Sequence, residues 1–505
     1  MARALLVLLL LASAGALRAA IDPANTAVVA NGNVPEGVAL ARDFMRHRGI
    51  PERHLIVLDL PKDEAIDWHT YAETLLNPLR AKLLAAGLLA GELTEPQDGR
   101  GRKEYLPTAA PKLSWLVLVH GVPLKLRASG TKPAAAPRSA VRGDQACVDS
   151  ELALLATVNL DPEGAKPNPW FRTISPAPAD AAEVVCIARL DGPTAADARR
   201  ALAGAWQAEA RGLRGRAYID VGGPYADGDA WFKDAAERTR RLGFPTDVES
   251  TPKQFGRKAR ADAPAFYLGW YSQKPTGRFA EDATRLAPGA IALHLHSFSA
   301  ETLRDPAAGW TPWLVRQGAA HTSGNVHEPY LPLTLRPDLL VDGLAQGLTA
   351  GEAAWFATPA VSWQGVILGD PFYRPLARTL EEQVADFRRA PDELGAYALL
   401  RAAQLRGATE PDQALADLKA AQERFPTLPL AFARAQADPR QPIAWPETPG
   451  LAWATADSGL LWEIGLFAEK NAFPDLARRA WEALAARPDW KDDPELRAHL
   501  PPVGR

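Results

Sequence analysis

Short apolar runs alternate with amphipathic stretches along most of the chain, and the two periods predict different elements. Apolar runs of about four to eight residues bounded by turn formers read as buried strands, and apolar positions recurring every third or fourth residue read as helices. By this rule strands are predicted at 26–30, 54–60, 113–119, 183–190, 216–219, 265–269, 290–296, 318–323 and 365–368. The run 113–119 is broken only by Ser114, the pattern of a strand buried on both faces. Helices are predicted over 38–47, 71–89, 147–156 and 191–211. In the last of these Pro193 suits the first turn, Asp197 lies near the positive end of the helix dipole, and Gly212 closes it. Strand and helix in alternation predict an α/β fold, a mostly parallel sheet with helices on both faces, caspase-like or otherwise doubly wound.

Beyond residue 379 strands cease and only helical periodicity remains, at 396–405, 412–424 and 461–487, interrupted by the Pro-rich stretch 438–450. The segment 464–470 followed by 473–486 resembles one tetratricopeptide helical pair. A generic helical hairpin packed on the preceding domain is the equally open alternative. An all-helical tail of this kind supports a fold or recruits a protein partner. The expected organisation is therefore a signal peptide at 1–16, an α/β domain at 21–378 and a helical domain at 379–505. At 505 residues the chain exceeds what one core usually organises, which agrees with that division.

The signal peptide is read from Arg3, the apolar run 4–11 and two small-x-small sites, Ala12-Ser13-Ala14 and Ala14-Gly15-Ala16. That run is short for a membrane span, which needs about 20 residues, and no other segment is long and apolar enough. The expectation is an exported protein, periplasmic or extracellular, with no transmembrane segment after signal cleavage. Charge changes the picture little: 57 basic against 60 acidic side chains leave no basic stripe, so nucleic acid is not an expected partner. The loops 127–143 and 159–182 are long, and the basic residues of the first, Arg127, Lys132, Arg138 and Arg142, keep it solvated. Export permits a disulfide between the two cysteines, Cys147 and Cys186, but Cys186 sits in the apolar run Val184-Val185-Cys186-Ile187, so two buried thiols remain the other reading.

In a parallel sheet, ligands bind beyond the carboxyl ends of the strands. The predicted strands deliver Asn31 and Asn33, His120-Gly121, Asp220, Tyr271-Ser272, His296-Ser297 and Asp370 there. Asn and Asp also serve strand-to-helix turns for steric reasons, so the histidines carry more weight. His294 and His296 are two residues apart, which on an extended strand puts both imidazoles on one face at a metal-ligand spacing. His321, His327 and Glu328 follow, so four of the nine histidines fall in one window. A divalent metal held by His294, His296 and His327 is one reading, although no HExxH or cysteine signature accompanies them. No other cofactor is expected. Ser297 follows His296 without a Gly-x-Ser-x-Gly elbow, so a turn serine competes with a nucleophile. Asp149 and Glu151 open a predicted helix, where capping competes with cation binding or acid–base work. In Glu328-Pro329-Tyr330 and Gly369-Asp370-Pro371 a carboxylate precedes proline, which stiffens the backbone there and fits either a presented acid or a structural clamp.

Eight segments, LVLVHGVP (116–123), VDSELAL (148–154), ARLDGP (188–193), GRAYID (215–220), GWYS (269–272), PGA (288–290), GNVHEPY (324–330) and GVILGDPFYRP (365–375), are similar in order to a family of exported bacterial proteins to which no reaction is assigned. The resemblance spans the α/β domain and not the tail. More remotely, the order of elements after residue 265, with the helix at 347–353 and Gly-Asp-Pro at its end, resembles the caspase-like fold of gingipain-type cysteine peptidases. Those enzymes end one strand in His-Gly and the next in a catalytic cysteine; here the ends read Gly269-Trp270-Tyr271 and His296-Ser297-Phe298. The resemblance therefore implies that thiol peptidase chemistry is absent. The expected function is a strand-end cleft around His296, Ser297, Glu328 and Asp370, with His120, Asp149 and Tyr271 as ligand contacts, which binds a ligand or runs a hydrolytic step. A non-catalytic envelope scaffold with a partner-binding tail and a metal-dependent hydrolase are the alternatives.

Overall fold

A computed structural model describes residues 21–129, 143–439 and 451–500. The expected signal peptide lies outside the described residues, as do most of the 127–143 loop and most of the Pro-rich stretch.

Ten strands form one sheet: β1 (Thr26–Asn31), β2 (Leu55–Leu58), β3 (Trp115–Val119), β4 (Cys186–Leu190), β5 (Arg216–Asp220), β6 (Thr246–Glu249), β7 (Pro264–Gly269), β8 (Ile291–His294), β9 (His321–Asn325) and β10 (Gly365–Gly369). Their order is β6-β5-β7-β8-β9-β10-β4-β3-β1-β2. Neighbours are parallel except β9 and β10, which run antiparallel with His321 opposite Gly369 and Asn325 opposite Gly365. The sheet is thus two parallel halves of five strands joined head to tail. The strands of one half end at the edge where those of the other begin.

Strand formation follows from burial on both faces. Every residue of β3 is buried, and along β1 Ala27 and Val29 pack into one core while Val28 and Ala30 pack into another. Helices Pro35–Arg48 and Ala195–Arg211 cover the second of these faces, and Pro337–Ala345 and Ala350–Ala357 contribute to the first. In the other half, Ala226–Arg241 packs on Ala217, Ile219, Phe266 and Leu268, and Trp310–Gln317 packs on Tyr218, Tyr267 and Ala292. The predicted mostly parallel α/β architecture is present. Beyond the predicted strands it contains β6, whose four residues are all half-buried at the sheet margin and include one aliphatic side chain, Val248.

One predicted helix is divided, and the expected C-terminal helical pair is two helices. The stretch 71–89 begins as a π-helical turn, Tyr71–Leu76, and continues as Asn77–Ala85. Pro78 lacks the amide that would bond one turn back, which fits a widened turn there. The stretch 461–487 is two antiparallel helices, Ser458–Lys470 and Pro474–Ala485, with Pro474 opening the second. Gly465 lets them approach, since a Cβ there would lie 2.3 Å from the Trp481 ring. The predicted helix 147–156 is shorter, Val148–Leu152.

The C-terminal part is helical throughout its described elements and has two small cores, one around Phe387, Tyr397 and Leu418, the other around Trp462, Trp481 and Trp490. It is seated on the α/β body by polar contacts. The Tyr397 hydroxyl donates to Asp262 Oδ2 at 2.7 Å, Arg401 donates to the carbonyls of Leu213 and Leu242, and Arg278 pairs with Asp457 at 2.5 Å. Among the described residues no helix is long and apolar enough to cross a membrane. Cys147 and Cys186 are both buried and are not joined in a disulfide.

Candidate functional site

Because β9 and β10 oppose each other, the strand-end residues separate into two groups at opposite edges of the sheet. Tyr271, His296, Ser297 and Glu328 follow β7, β8 and β9 and meet at one edge. Asn31, His120 and Asp370 follow β1, β3 and β10 at the other. The expected single constellation of His296, Ser297, Glu328 and Asp370 is therefore corrected: Asp370 does not share a cleft with the other three.

The first edge holds an open cleft of about 580 Å³, lined by Tyr225, Asp227, Trp270, Tyr271, His296, Ser297, Glu328 and Tyr330 among others. The Ser297 hydroxyl donates to Glu328 Oε1 at 2.7 Å. His296 Nδ1 lies 2.6 Å from the Ser297 carbonyl, which can only accept, so Nδ1 carries a proton and donates. The His296 ring packs at 4.5 Å against Tyr271. Burial first, then Tyr225 and Glu328 beside it, raise the Tyr271 phenol above its ordinary range.

The exits of β8 and β9 are tied together. The Phe298 amide donates to the His327 carbonyl, the Ala300 amide to the Asn325 carbonyl, and Asn325 Nδ2 to the His296 carbonyl. Phe298 and Tyr330 both have φ of 60°, a region that bulky L-residues occupy at a cost of about 1–3 kcal/mol each. Phe298 directly follows Ser297 and Tyr330 lies two residues after Glu328, and Tyr330 is 43% exposed, so its strained position is not offset by deep burial of its ring.

His294 does not join this cleft as a metal ligand. The strand ends at His294 and the chain turns through His296 and Ser297, so the two imidazoles serve different environments. His294 stacks on Trp310 at 4.0 Å, the Ser272 amide donates to its Nε2 at 3.1 Å, and its Nδ1 meets the Tyr267 hydroxyl at 3.0 Å. Both nitrogens are occupied, and burial holds the ring neutral, far below the ordinary imidazole range. His327 is half-buried and packs edge-on against Phe298. Among the described residues no three His, Cys, Asp or Glu side chains converge as a metal site.

At the opposite edge the polar residues are saturated. Asp370 is fully buried, and Oδ2 accepts from Arg48 Nε at 2.7 Å and Trp206 Nε1 at 3.0 Å while Oδ1 accepts from the Phe372 amide at 2.9 Å. The clamp reading of Gly369-Asp370-Pro371 holds. Asp149 accepts from Arg189 Nε at 3.0 Å and from its Nη2 at 2.6 Å, and Arg189 Nη1 reaches Asp191 at 3.2 Å. His120 Nδ1 lies 2.7 Å from Asp191 Oδ1, and Arg304 donates to both oxygens of Asp191 at 2.7 and 2.9 Å. Burial alone would raise the Asp191 carboxyl, but the Arg304 guanidinium, the His120 hydrogen bond and Arg189 hold it far below the usual carboxylate range. Asp149 and His120 are thus parts of a buried ion network, apart from the cleft.

Residue-level reading of the sequence overlooked Tyr225 and Asp227 in the cleft and Arg189, Asp191 and Arg304 in the network. An exposed tyrosine directly after the turn formers Gly222-Gly223-Pro224 was the signal for the first pair. Comparison of the chain with protein-family models, with curated proteins and with solved structures finds no match.

Proposed function

We propose that this chain binds a small organic ligand in the cleft beyond β7, β8 and β9, with Ser297, Glu328 and His296 as its polar corner. The observation that carries this reading is the Ser297–Glu328 hydrogen bond, each partner of which is followed within two residues by a residue of positive φ, Phe298 and Tyr330. Local strain of that kind persists where surrounding structure enforces it and clusters at ligand sites. A cleft of about 580 Å³ is also of the size that holds a small molecule.

The same corner has the parts of a hydrolytic step. In such a step Glu328, which accepts a hydrogen bond from the Ser297 hydroxyl, would be the base that takes its proton, and His296 in the same cleft would be the second group for proton transfer. Thiol chemistry is not part of the proposal, because both cysteines are buried and burial pushes the Cys147 thiol well above its ordinary range. Export, expected from residues 1–16, would bring the cleft into contact with ligands outside the cytoplasm.

The test is a thermal-shift screen of a metabolite library and of chromogenic ester, phosphate and glycoside substrates, run on wild type, Ser297→Ala and Glu328→Gln. The proposal expects a compound that raises the wild-type melting temperature and fails to do so in Glu328→Gln, while the unliganded variants melt within about 2 °C of wild type. Compounds that act equally on all three proteins, or variants that no longer fold, would assign Ser297 and Glu328 to structure.

A further inference from the structure

The aromatic residues of the cleft carry a narrower conclusion, which rests on the cleft being a ligand site. Among the described residues the exposed large aromatic side chains are Tyr225, Tyr271 and Tyr330, and all three line it. Tyr225, Trp270 and Tyr271 form a corner of crossing rings. Tyr225 and Tyr271 are 5.8 Å apart at 88°, Trp270 and Tyr271 are 5.9 Å apart at 85°, and Tyr225 and Trp270 are 6.5 Å apart at 50°. Trp270 is fixed as the back wall by stacking on Phe232 and by a hydrogen bond from its Nε1 to Asp229.

Charge selects among the ligands such a corner suits. Two carboxylates, Glu328 and Asp227, line the cleft, and among the described residues no lysine or arginine does. Asp227 also occupies the first turn of the helix Ala226–Arg241, so the positive end of that helix already faces an acid. An anionic ligand meets like charge without a cationic partner. A cation meets two carboxylates and the negative faces of aromatic rings.

We propose that the exposed rings of Tyr225 and Tyr271, with the buried Trp270 behind them and Glu328 and Asp227 beside them, bind a methylated ammonium cation of the choline type. A trimethylammonium group is broad and weakly hydrated, so it gains from several ring faces at once. The absence of a basic side chain from the lining disfavours a ligand whose ammonium sits next to a phosphate, which separates free choline from a phosphatidylcholine headgroup. Tyr330 at the rim and the Ser297–Glu328 pair then face the hydroxyl end of the ligand.

The experiment is calorimetric titration of the full mature chain with tetramethylammonium, choline and 3,3-dimethyl-1-butanol, the uncharged carbon isostere of choline. Choline and tetramethylammonium should bind, and the isostere should bind at least about tenfold more weakly, the equivalent of about 1.4 kcal/mol. Tyr225→Leu, at a half-exposed position, should weaken choline by about the same factor and leave the melting temperature nearly unchanged. Equal binding of choline and its isostere would overturn the cation and keep an apolar cleft. Binding to phosphatidylcholine vesicles without binding of free choline would overturn it in favour of a lipid surface. If neither cation binds while a screened compound binds in a Glu328-dependent way, the cation fails and the cleft reading stands; if nothing binds in a Glu328-dependent way, both fail.

Discussion

Replacing Asp220 with asparagine should make the stability of this protein less sensitive to pH by an amount that follows from its surroundings. Asp220 ends β5 with 1% exposure, and neither carboxylate oxygen meets a hydrogen-bond donor among the described residues. Burial first, and then the carboxylates of Glu249 and Asp229, push its carboxyl up from an ordinary 3.8 to about 8. The folded chain therefore keeps this proton at neutrality while the unfolded chain releases it. For an acid whose folded value is raised, stability is fully present below about pH 4, falls as pH rises, and stops falling beyond about pH 8. The slope is about 1.4 kcal/mol per pH unit, so wild type loses about 3 kcal/mol to this group between pH 5 and pH 7. Asparagine has nearly the same shape and never ionises. Urea denaturation of wild type and Asp220→Asn at pH 5, 6 and 7 isolates the effect, because every other titrating group is common to both proteins. The variant's stability relative to wild type should rise by about 3 kcal/mol across that range. A difference that stays constant with pH would refute the reasoning, since it would mean that the folded chain already holds Asp220 ionised.

Other substitutions address the ion network, the tail and the thiols. Asp149→Asn leaves the fully buried Arg189 with Asp191 as its remaining carboxylate, and urea denaturation should show a loss of about 3–5 kcal/mol. Tyr397→Phe removes a hydroxyl that donates to Asp262 at 2.7 Å and should cost about 1.5–3 kcal/mol by the same assay, with faster proteolysis of the C-terminal helices. Native protein should leave Cys147 and Cys186 unmodified by a thiol reagent that labels both in denaturant, and rapid labelling of either in the native state would contradict their burial.

The strands were legible because most are buried on both faces and so appear as uninterrupted apolar runs; β6 escaped because Thr246-Asp247-Val248-Glu249 lies half-buried at the margin. The helix break at Pro78 escaped because periodicity continues through it, whereas the break near Asn471-Ala472-Phe473 was legible as the division between 464–470 and 473–486. The larger omission is directional. Nothing in His321-Thr322-Ser323-Gly324-Asn325 or Gly365-Val366-Ile367-Leu368-Gly369 marks which way each strand points, yet their antiparallel pairing decides which loops share an edge. That single reversal moves Asp370 away from His296, Ser297 and Glu328 while leaving the latter three together. The His294–His296 spacing misled for a local reason: side chains alternate only while the chain stays extended, and the strand ends at His294.

The rule that ligands meet the carboxyl ends of parallel strands therefore applies twice in this sheet, once to each half, and the hydrogen bonds separate the two cases. At the edge beyond β1, β3, β4 and β10, Asp370, Asp191 and Asp149 are each matched to guanidinium groups, and the network is closed upon itself. At the edge beyond β5, β7, β8 and β9, Glu328 meets a serine and, among the described residues, no cation, and three tyrosines stand exposed. Two of the described non-glycine residues with positive φ, Phe298 and Tyr330, also lie at the second edge. A buried charge network answers to stability, and its residues should be intolerant of change whatever ligand is present. Unmatched carboxylates, exposed rings and strained backbone in one cleft have no such structural return, and their joint presence beyond β7, β8 and β9 is why the search for function belongs there.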